Sequence, residues 1–544
     1  MARSIISLLV VMTGSFLCFS QSKITGTLLD QDGKPMAVAD VHIKGAMDDT
    51  TLLSVRAAAD GSFSMMLPAT GAFQIEFSGV DHMSRALPFL GEAAQATRIN
   101  VRLGAYAFLD DLSGVQFVQM KPDFDAGAVY TPAKQPDGTY TAEIKTDLPS
   151  FRYELKGVER TGHTINGTLS ETFQYDGGGD YCSVLTPRNG IVKIVLDPAK
   201  LVRGTGESRV EFPDGEKGSS RLPKLFDASN ARRQDYMDAH RAFAAGNKDP
   251  KLFTYDWAPV IADIQGRLQK ENEPIIRQEL WMECLDLLPF GWSPADPAFK
   301  ERALKEIPPG SPLWVFHINT VSFLAFDTTG GKAYIERLLK EQREPGLRGT
   351  ILMSKLVYAR YGGNRSESRA VYGRLMTECA GTRWAKMAKE RYGTDMKVYA
   401  GAQVPKFSFV SLDDSSKTFT NETFKGKYLL IDFWAVWCGP CVGEMENLHK
   451  AYEKFKGNDF AVLSLSFDNA PVDIKKFRET RWKMPWNHAY VVGGFANPTS
   501  REFEVDGIPK PILVDGNGMI VAMTTELRGE NLQKTLEKFL GKRP

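Results

Sequence analysis

Cysteine is scarce in this sequence, six in 544 residues, and a surplus of either charge is missing, with 67 basic residues against 66 acidic. After the first twenty residues no apolar run reaches the ~20 residues that a bilayer span takes. Each shortage excludes something. Few, scattered cysteines are not the framework of a disulfide-stapled secreted fold. Balanced charge gives no field to draw in nucleic acid or an anionic membrane. The histidines, at positions 42, 82, 163, 240, 317, 449 and 488, do not cluster, and no lone cysteine has one at metal-ligand spacing, so no zinc site is expected. Gly177-Gly178-Gly179 lacks the strand-turn-helix setting and the Lys-Ser/Thr ending of a phosphate loop and reads as a turn. No fixed repeat period is found.

What is present is enough chain for three or four units, since a single core stops growing well below this length. The first twenty residues combine Arg3, an apolar run from Ile5 to Phe16, and small residues at Cys18 and Ser20. That order is expected of a secretory signal peptide cut after Ser20, and Leu17, where a lipoprotein signal has a small residue, argues against lipid attachment at Cys18. The expectation is an exported protein of the periplasm or cell envelope without stable membrane insertion.

Four further units are expected. Residues 21–104 alternate apolar and polar positions, as in Val41-His42-Ile43 and Phe73-Gln74-Ile75-Glu76-Phe77, which predicts antiparallel strands. Ile24-x-Gly26, Asp32-Gly33-Lys34-Pro35, Ala39-x-Val41 and Asp60-Gly61-Ser62-Phe63 resemble the carboxypeptidase-regulatory-like β-sandwich, a module that is usually a non-catalytic spacer or docking unit. Residues 105–225 continue as a β-rich domain of unknown role. Over 226–400 the apolar period becomes three and four, with Ile261, Ile264 and Leu268, then Leu280, Cys284, Leu287 and Leu288, then Ile335, Leu338 and Leu339, which predicts an α-helical domain. Whether Cys284 and Cys379 are bridged stays open.

Residues 401–544 carry the chemistry. A buried-strand run, Tyr428 to Trp434, leads into Trp437-Cys438-Gly439-Pro440-Cys441, after which Met445, Leu448, Tyr452 and Phe455 follow at helical spacing. A thiolate in the first turn of a helix faces unpaired N–H groups and the positive end of the dipole, which lowers a cysteine pKa from ~8.5 toward neutrality or below. Cys438 is then an exposed nucleophile and Cys441, one turn on and inward, the resolving thiol. Beyond them, strands are expected at Phe460–Phe467, Ala489–Val492, Pro511–Val514 and Met519–Thr524, helices at Pro471–Thr480 and Asn531–Leu540, and a helical turn at Pro498–Phe503. This order argues an α/β fold with a mixed sheet covered on both faces. His449, on the helix after the dithiol, reads as a solvated or packed imidazole.

The string Val404-Pro405-x-Phe407, Gly426-Lys427, Asp432-Phe433-Trp434-Ala435, Trp437-Cys438-Gly439-Pro440-Cys441, Glu444-Met445, Gly507-Ile508-Pro509 and Ile512-Leu513-Val514-Asp515 resembles the thioredoxin-like superfamily, and within it exported thiol-disulfide oxidoreductases of the TlpA and ResA type. The resemblance covers Gly401 to Leu540. It implies a cis Pro509, with Ile508 and Trp437 lining a groove for protein substrate, and no cofactor. It also implies two acids that serve Cys441: Asp432, where thioredoxins keep a buried carboxylate, and Glu444, where ResA-type proteins keep theirs. Two departures stand out. Gly439-Pro440 is the thioredoxin pair, whereas ResA-type proteins often have an acid between the cysteines, and Lys510-Pro511 replaces a threonine-rich stretch.

The expected function is therefore reduction of disulfides in extracytoplasmic proteins, with re-reduction by a membrane thiol carrier. The alternatives are an oxidase or isomerase of folding proteins using the same residues, and a binding or scaffold protein with an accessory redox domain. A peroxidase of the related AhpC/TSA branch is disfavoured by the Trp-Cys-x-x-Cys setting.

Overall fold

The protein is described by a computed structural model over residues 22–47, 50–68, 70–92, 94–245, 253–326, 331–393, 395–457 and 459–541. The expected signal peptide lies outside them. The chain divides into two compact units, Met1–Asn230 with Arg267–Leu280, and Ala231–Gly266 with Trp281–Pro544.

In the first unit, strand alternation takes the form expected of half-buried sheets. Ala96–Leu103 alternates outward and inward residues, and its Ile99, Val101 and Leu103 are fully buried. Two four-stranded sheets share that core: Arg209–Glu211, Ala96–Leu103, Lys23–Asp30 and Ser62–Met66 form one, and Thr51–Arg56, Ala39–Gly45, Gly71–Gly79 and His82–Gly91 the other. A second core, around Phe117, Phe151, Tyr153, Leu155 and Ile194, lies among a five-stranded and a three-stranded sheet built from strands between Gln116 and Leu196. Gly177 to Gly179 form the bend between the strands Thr172–Tyr175 and Tyr181–Leu185, with the Asp176 carboxylate accepting from the Gly178 and Asp180 amides.

The second unit opens with helices whose apolar stripes face inward. Ile335, Leu338 and Leu339 of Gly331–Glu341 are buried, as their spacing requires. The helix Pro345–Tyr361 starts on a proline that needs no amide partner, with the Glu344 side chain accepting from the Gly346 amide. Cys284 and Cys379 are both free and buried, so the bridge left open by the sequence is not formed.

The C-terminal part is a mixed five-stranded sheet: β1 Tyr428–Trp434, β2 Phe460–Ser466, β3 Asn487–Tyr490, β4 Lys510–Val514 and β5 Ile520–Met523. Their order is β3-β2-β1-β4-β5, with β1, β2 and β3 parallel and β4 and β5 antiparallel. Six of the seven β1 residues are buried, which explains why the run reads as continuously apolar rather than alternating. Helices α1 Gly439–Phe455, α2 Pro471–Thr480, α3 Pro498–Glu502 and α4 Glu530–Leu540 complete the domain.

All four strands after the dithiol differ from expectation by one or two residues at an end, the third and the last at both ends. The third strand lies at Asn487–Tyr490, because the chain leaves the sheet after Val491 and Val492 stands 69% exposed. The last strand is confined to Ile520–Met523: the Met519 amide is taken by the Asp515 carboxylate in the turn, and Thr524, at φ 38°, opens a 3₁₀ turn. No described helix is long and apolar enough to cross a membrane.

Candidate active site

Parallel strands deliver their C-terminal ends, and the loops that follow, to one edge of the sheet. At that edge β1 ends and Cys438 becomes the N-cap of α1, with extended backbone at φ −83° and ψ 93°. Its Sγ accepts from the Cys441 amide at 3.2 Å, the contact an N-cap side chain makes to an orphan N–H. Pro440 follows in the first turn, where its missing N–H costs nothing. The two sulfurs are bonded, with Cα atoms 5.2 Å apart.

Trp437 is 55% exposed, whereas Cys441 is 2% and Cys438 only 5% exposed. The sequence predicts an exposed Cys438 thiol; in the disulfide its sulfur instead turns inward to Cys441 and the first helical turn. The loop before it is fixed by a residue the sequence reading missed. Asp468, just after β2, accepts from the Val436 amide at 2.9 Å and from the Ser466 hydroxyl at 2.7 Å, and burial raises its pKa. A single acid after a strand carries no motif that would have flagged it.

Both sequence-predicted carboxylates border Cys441. Asp432, in the middle of β1, is buried, and its carboxyl accepts from the Ser464 hydroxyl at 3.4 Å. Burial pushes its pKa up to about 7; the Ser464 bond opposes the shift, and the Glu444 charge adds to it. Glu444 is held differently. Its carboxylate accepts from the Gly529 amide at 2.8 Å and the Asn447 side chain at 3.0 Å, and Arg528 Nε lies 3.4 Å away. Gly529 reaches it from φ 55° and ψ −140°, a conformation open only to glycine without strain. Asp432, Glu444, Cys441 and Pro509 line one cavity of about 20 Å³. A water molecule needs roughly 10–15 Å³ of such volume, so a proton has room to pass between thiol and carboxylate through one water.

The Ile508–Pro509 bond is cis, as the resemblance implied; Pro509 is buried and Ile508 half-buried. The Lys510 departure also has a place. Its amine is buried and donates to the Glu504 carbonyl at 2.5 Å, and burial lowers its pKa to about 8. Arg360 meets the Glu504 carboxylate at 2.6 Å, and the Tyr361 hydroxyl donates to the Pro509 carbonyl at 2.6 Å. Neither residue was flagged by the sequence, since each lies more than 140 residues from its partner. His449 packs against the rings of Trp482 and Trp486.

Residues 399–536 match the Redoxin family model. The chain is 28% identical over 151 residues to the thiol-disulfide oxidoreductase ResA of Bacillus cereus, covering 28% of this chain and 82% of that protein. It is 25% identical over 142 residues to the thiol:disulfide interchange protein DsbE of Vibrio cholerae, covering 26% and 72%. Among solved structures, the thioredoxin domain of a thiol-disulfide oxidoreductase from Bacteroides vulgatus is 34% identical, covering 26% of this chain and 98% of that one, with a TM-score of 0.24.

Proposed function

With the C-terminal quarter of the chain a redoxin domain of thioredoxin-like oxidoreductase type, we propose that it reduces disulfides of extracytoplasmic proteins through Cys438 and Cys441. The observation that carries this reading is a dithiol at the first turn of a helix whose inner sulfur shares a cavity with a buried carboxyl poised near neutrality.

In the reduced protein, the Cys438 thiolate attacks one sulfur of the substrate disulfide. A mixed disulfide forms, and the first substrate thiolate leaves and takes up a proton. Asp432 accepts the Cys441 proton, and the resulting thiolate attacks the Cys438 sulfur, releasing the second substrate thiolate. The second thiolate takes up a proton as Asp432 gives up its own to solvent, so that two electrons and two protons have passed to the substrate and the Cys438–Cys441 disulfide remains. Glu444 holds a second carboxylate at the same cavity and shares in that proton transfer. Trp437, with Ile508 and Pro509, forms the substrate groove.

Export is supported by the basic, apolar, small-residue order of the first twenty residues. Re-reduction then requires a thiol donor reachable from outside the cytoplasm, in the membrane. Residues 21–104, 105–225 and 226–400 are assigned as β-sandwich spacer, β-rich domain and helical domain, with the redox domain over 401–544. The test is reduction of insulin by the reduced full chain. Wild type should reduce it and Cys438→Ser should not, whereas Cys441→Ser should accumulate a mixed disulfide with the physiological partner. Full activity in Cys438→Ser would sink the proposal.

A further inference from the structure

The helix Pro345–Tyr361 ends on two residues that grip opposite ends of one loop. Arg360, buried, pairs with Glu504 at 2.6 Å, and the same Glu504 carboxylate accepts from the Lys397 and Val398 amides. Tyr361, the next residue, donates from its hydroxyl to the Pro509 carbonyl at 2.6 Å, and its own carbonyl accepts from Thr524 at 2.9 Å. The segment between these anchors, Glu504 to Pro509, contains the cis bond that faces the dithiol cavity. On the other side, Arg528 Nη1 lies 3.5 Å from the Tyr361 hydroxyl while its Nε lies 3.4 Å from the Glu444 carboxylate. One phenol thus touches both the cis-proline carbonyl and the guanidinium that steadies an acid beside Cys441. Burial raises the Tyr361 pKa, which keeps the phenol a donor throughout the neutral range.

The geometry points to Tyr361 as a positioning residue for the dithiol site, contributed by the helical segment: it sets the cis-proline loop from one side and, through Arg528, Glu444 from the other. This rests on the oxidoreductase reading above, and makes the redox domain dependent on the helices that precede it. Tyr361 itself touches no reacting sulfur. It acts on substrate binding through Pro509 and on Cys441 deprotonation through Arg528 and Glu444.

The experiment compares full-length wild type, Tyr361→Phe, Arg528→Gln and the double variant by two readouts. One is insulin reduction, resolved into kcat and KM across the neutral pH range. The other is the pH dependence of the equilibrium between the dithiol and glutathione, which does not depend on insulin being a substrate. Losing one neutral hydrogen bond should cost about three- to tenfold in kcat/KM, mostly in KM. Tyr361→Phe and Arg528→Gln should displace the same pH midpoint, and the double variant should go no further than the larger single, as for members of one network. A purely packing role would lower thermal stability and leave the pH midpoint in place. Unchanged KM and pH midpoint in a folded Tyr361→Phe, or additive effects in the double variant, would overturn the inference. Should Tyr361→Phe not fold, an unmoved pH midpoint in Arg528→Gln overturns it alone. If wild type left insulin intact, the function reading would fall, while the glutathione equilibrium would still decide the role of Tyr361.

Discussion

Asp432→Asn replaces a carboxyl that is buried in the middle of β1 by an amide of the same shape, which can keep the Ser464 contact. In the folded domain the carboxyl holds its proton to about pH 7, against an ordinary value of 3.8. Between those values the unfolded chain ionises and the folded chain does not, so stability falls as pH rises, and above 7 the loss is complete. The difference is about three units, each worth ~1.4 kcal/mol, so the native acid costs the domain about 4 kcal/mol at alkaline pH and nothing below pH ~4. The Asn variant should therefore be more stable by that order above neutrality, with the gain shrinking to zero in acid. Because the chain has two units, a single unfolding transition is not a safe readout. Urea titration with hydrogen exchange read on peptides from 428–434 follows the transition to which the carboxyl belongs. The same variant should resolve mixed disulfides more slowly and lose the activity inflection near pH 7, where ionised Asp432 becomes able to accept the Cys441 proton. A stability gain equal at acid and alkaline pH, or a loss, would refute the reasoning that burial holds Asp432 protonated.

Other perturbations probe the surroundings. Arg360→Met removes the guanidinium from a half-buried Glu504 carboxylate that keeps its Lys397 and Val398 amide donors, and should destabilise the unit by about 1.5–3 kcal/mol, measured by denaturation of the same peptides. Trp437→Ala should change stability by less than about 0.5 kcal/mol, because the side chain is half in solvent. Its KM for a protein disulfide should rise tenfold or more if the indole is a binding anchor, whereas a small aromatic disulfide should show less change. Gly529→Ala, forced into a conformation closed to alanine, should cost about 1–3 kcal/mol and disturb the Glu444 anchor, read as a shifted pH profile.

The dithiol was legible because its chemistry is local. A β-strand run, Trp-Cys-Gly-Pro-Cys and a helical period lie within thirty residues, so strand, N-cap and helix follow from the chain itself. Strand and helix order in the C-terminal quarter was legible for the same reason; element ends moved by one or two residues, most at β3 and β5, where turn hydrogen bonds and exposure decide. The cis bond at Pro509 was carried by resemblance, since nothing in an Ile-Pro pair alone fixes the isomer. What escaped the sequence is what the fold brings from afar. Asp468 reaches the dithiol loop across a β1–β2 register, and Arg360 and Tyr361 reach the cis-proline loop from a helix some 150 residues upstream of it. Lys510 looked like a change in the substrate groove, yet its amine turns inward to the Glu504 carbonyl. The inward turn of Cys438 in the disulfide likewise depends on side-chain direction, which spacing does not specify.

The most direct measurement is alkylation of the reduced full chain across pH, with each cysteine followed by its own peptide. Cys438 should react fastest, with a midpoint below the ~8.5 of a free thiol. Cys182, Cys284 and Cys379 should stay silent, since burial raises all three thiols, Cys284 to about 12. A Cys438 that titrates like free cysteine, or that reacts no faster than the three buried thiols, would contradict the account.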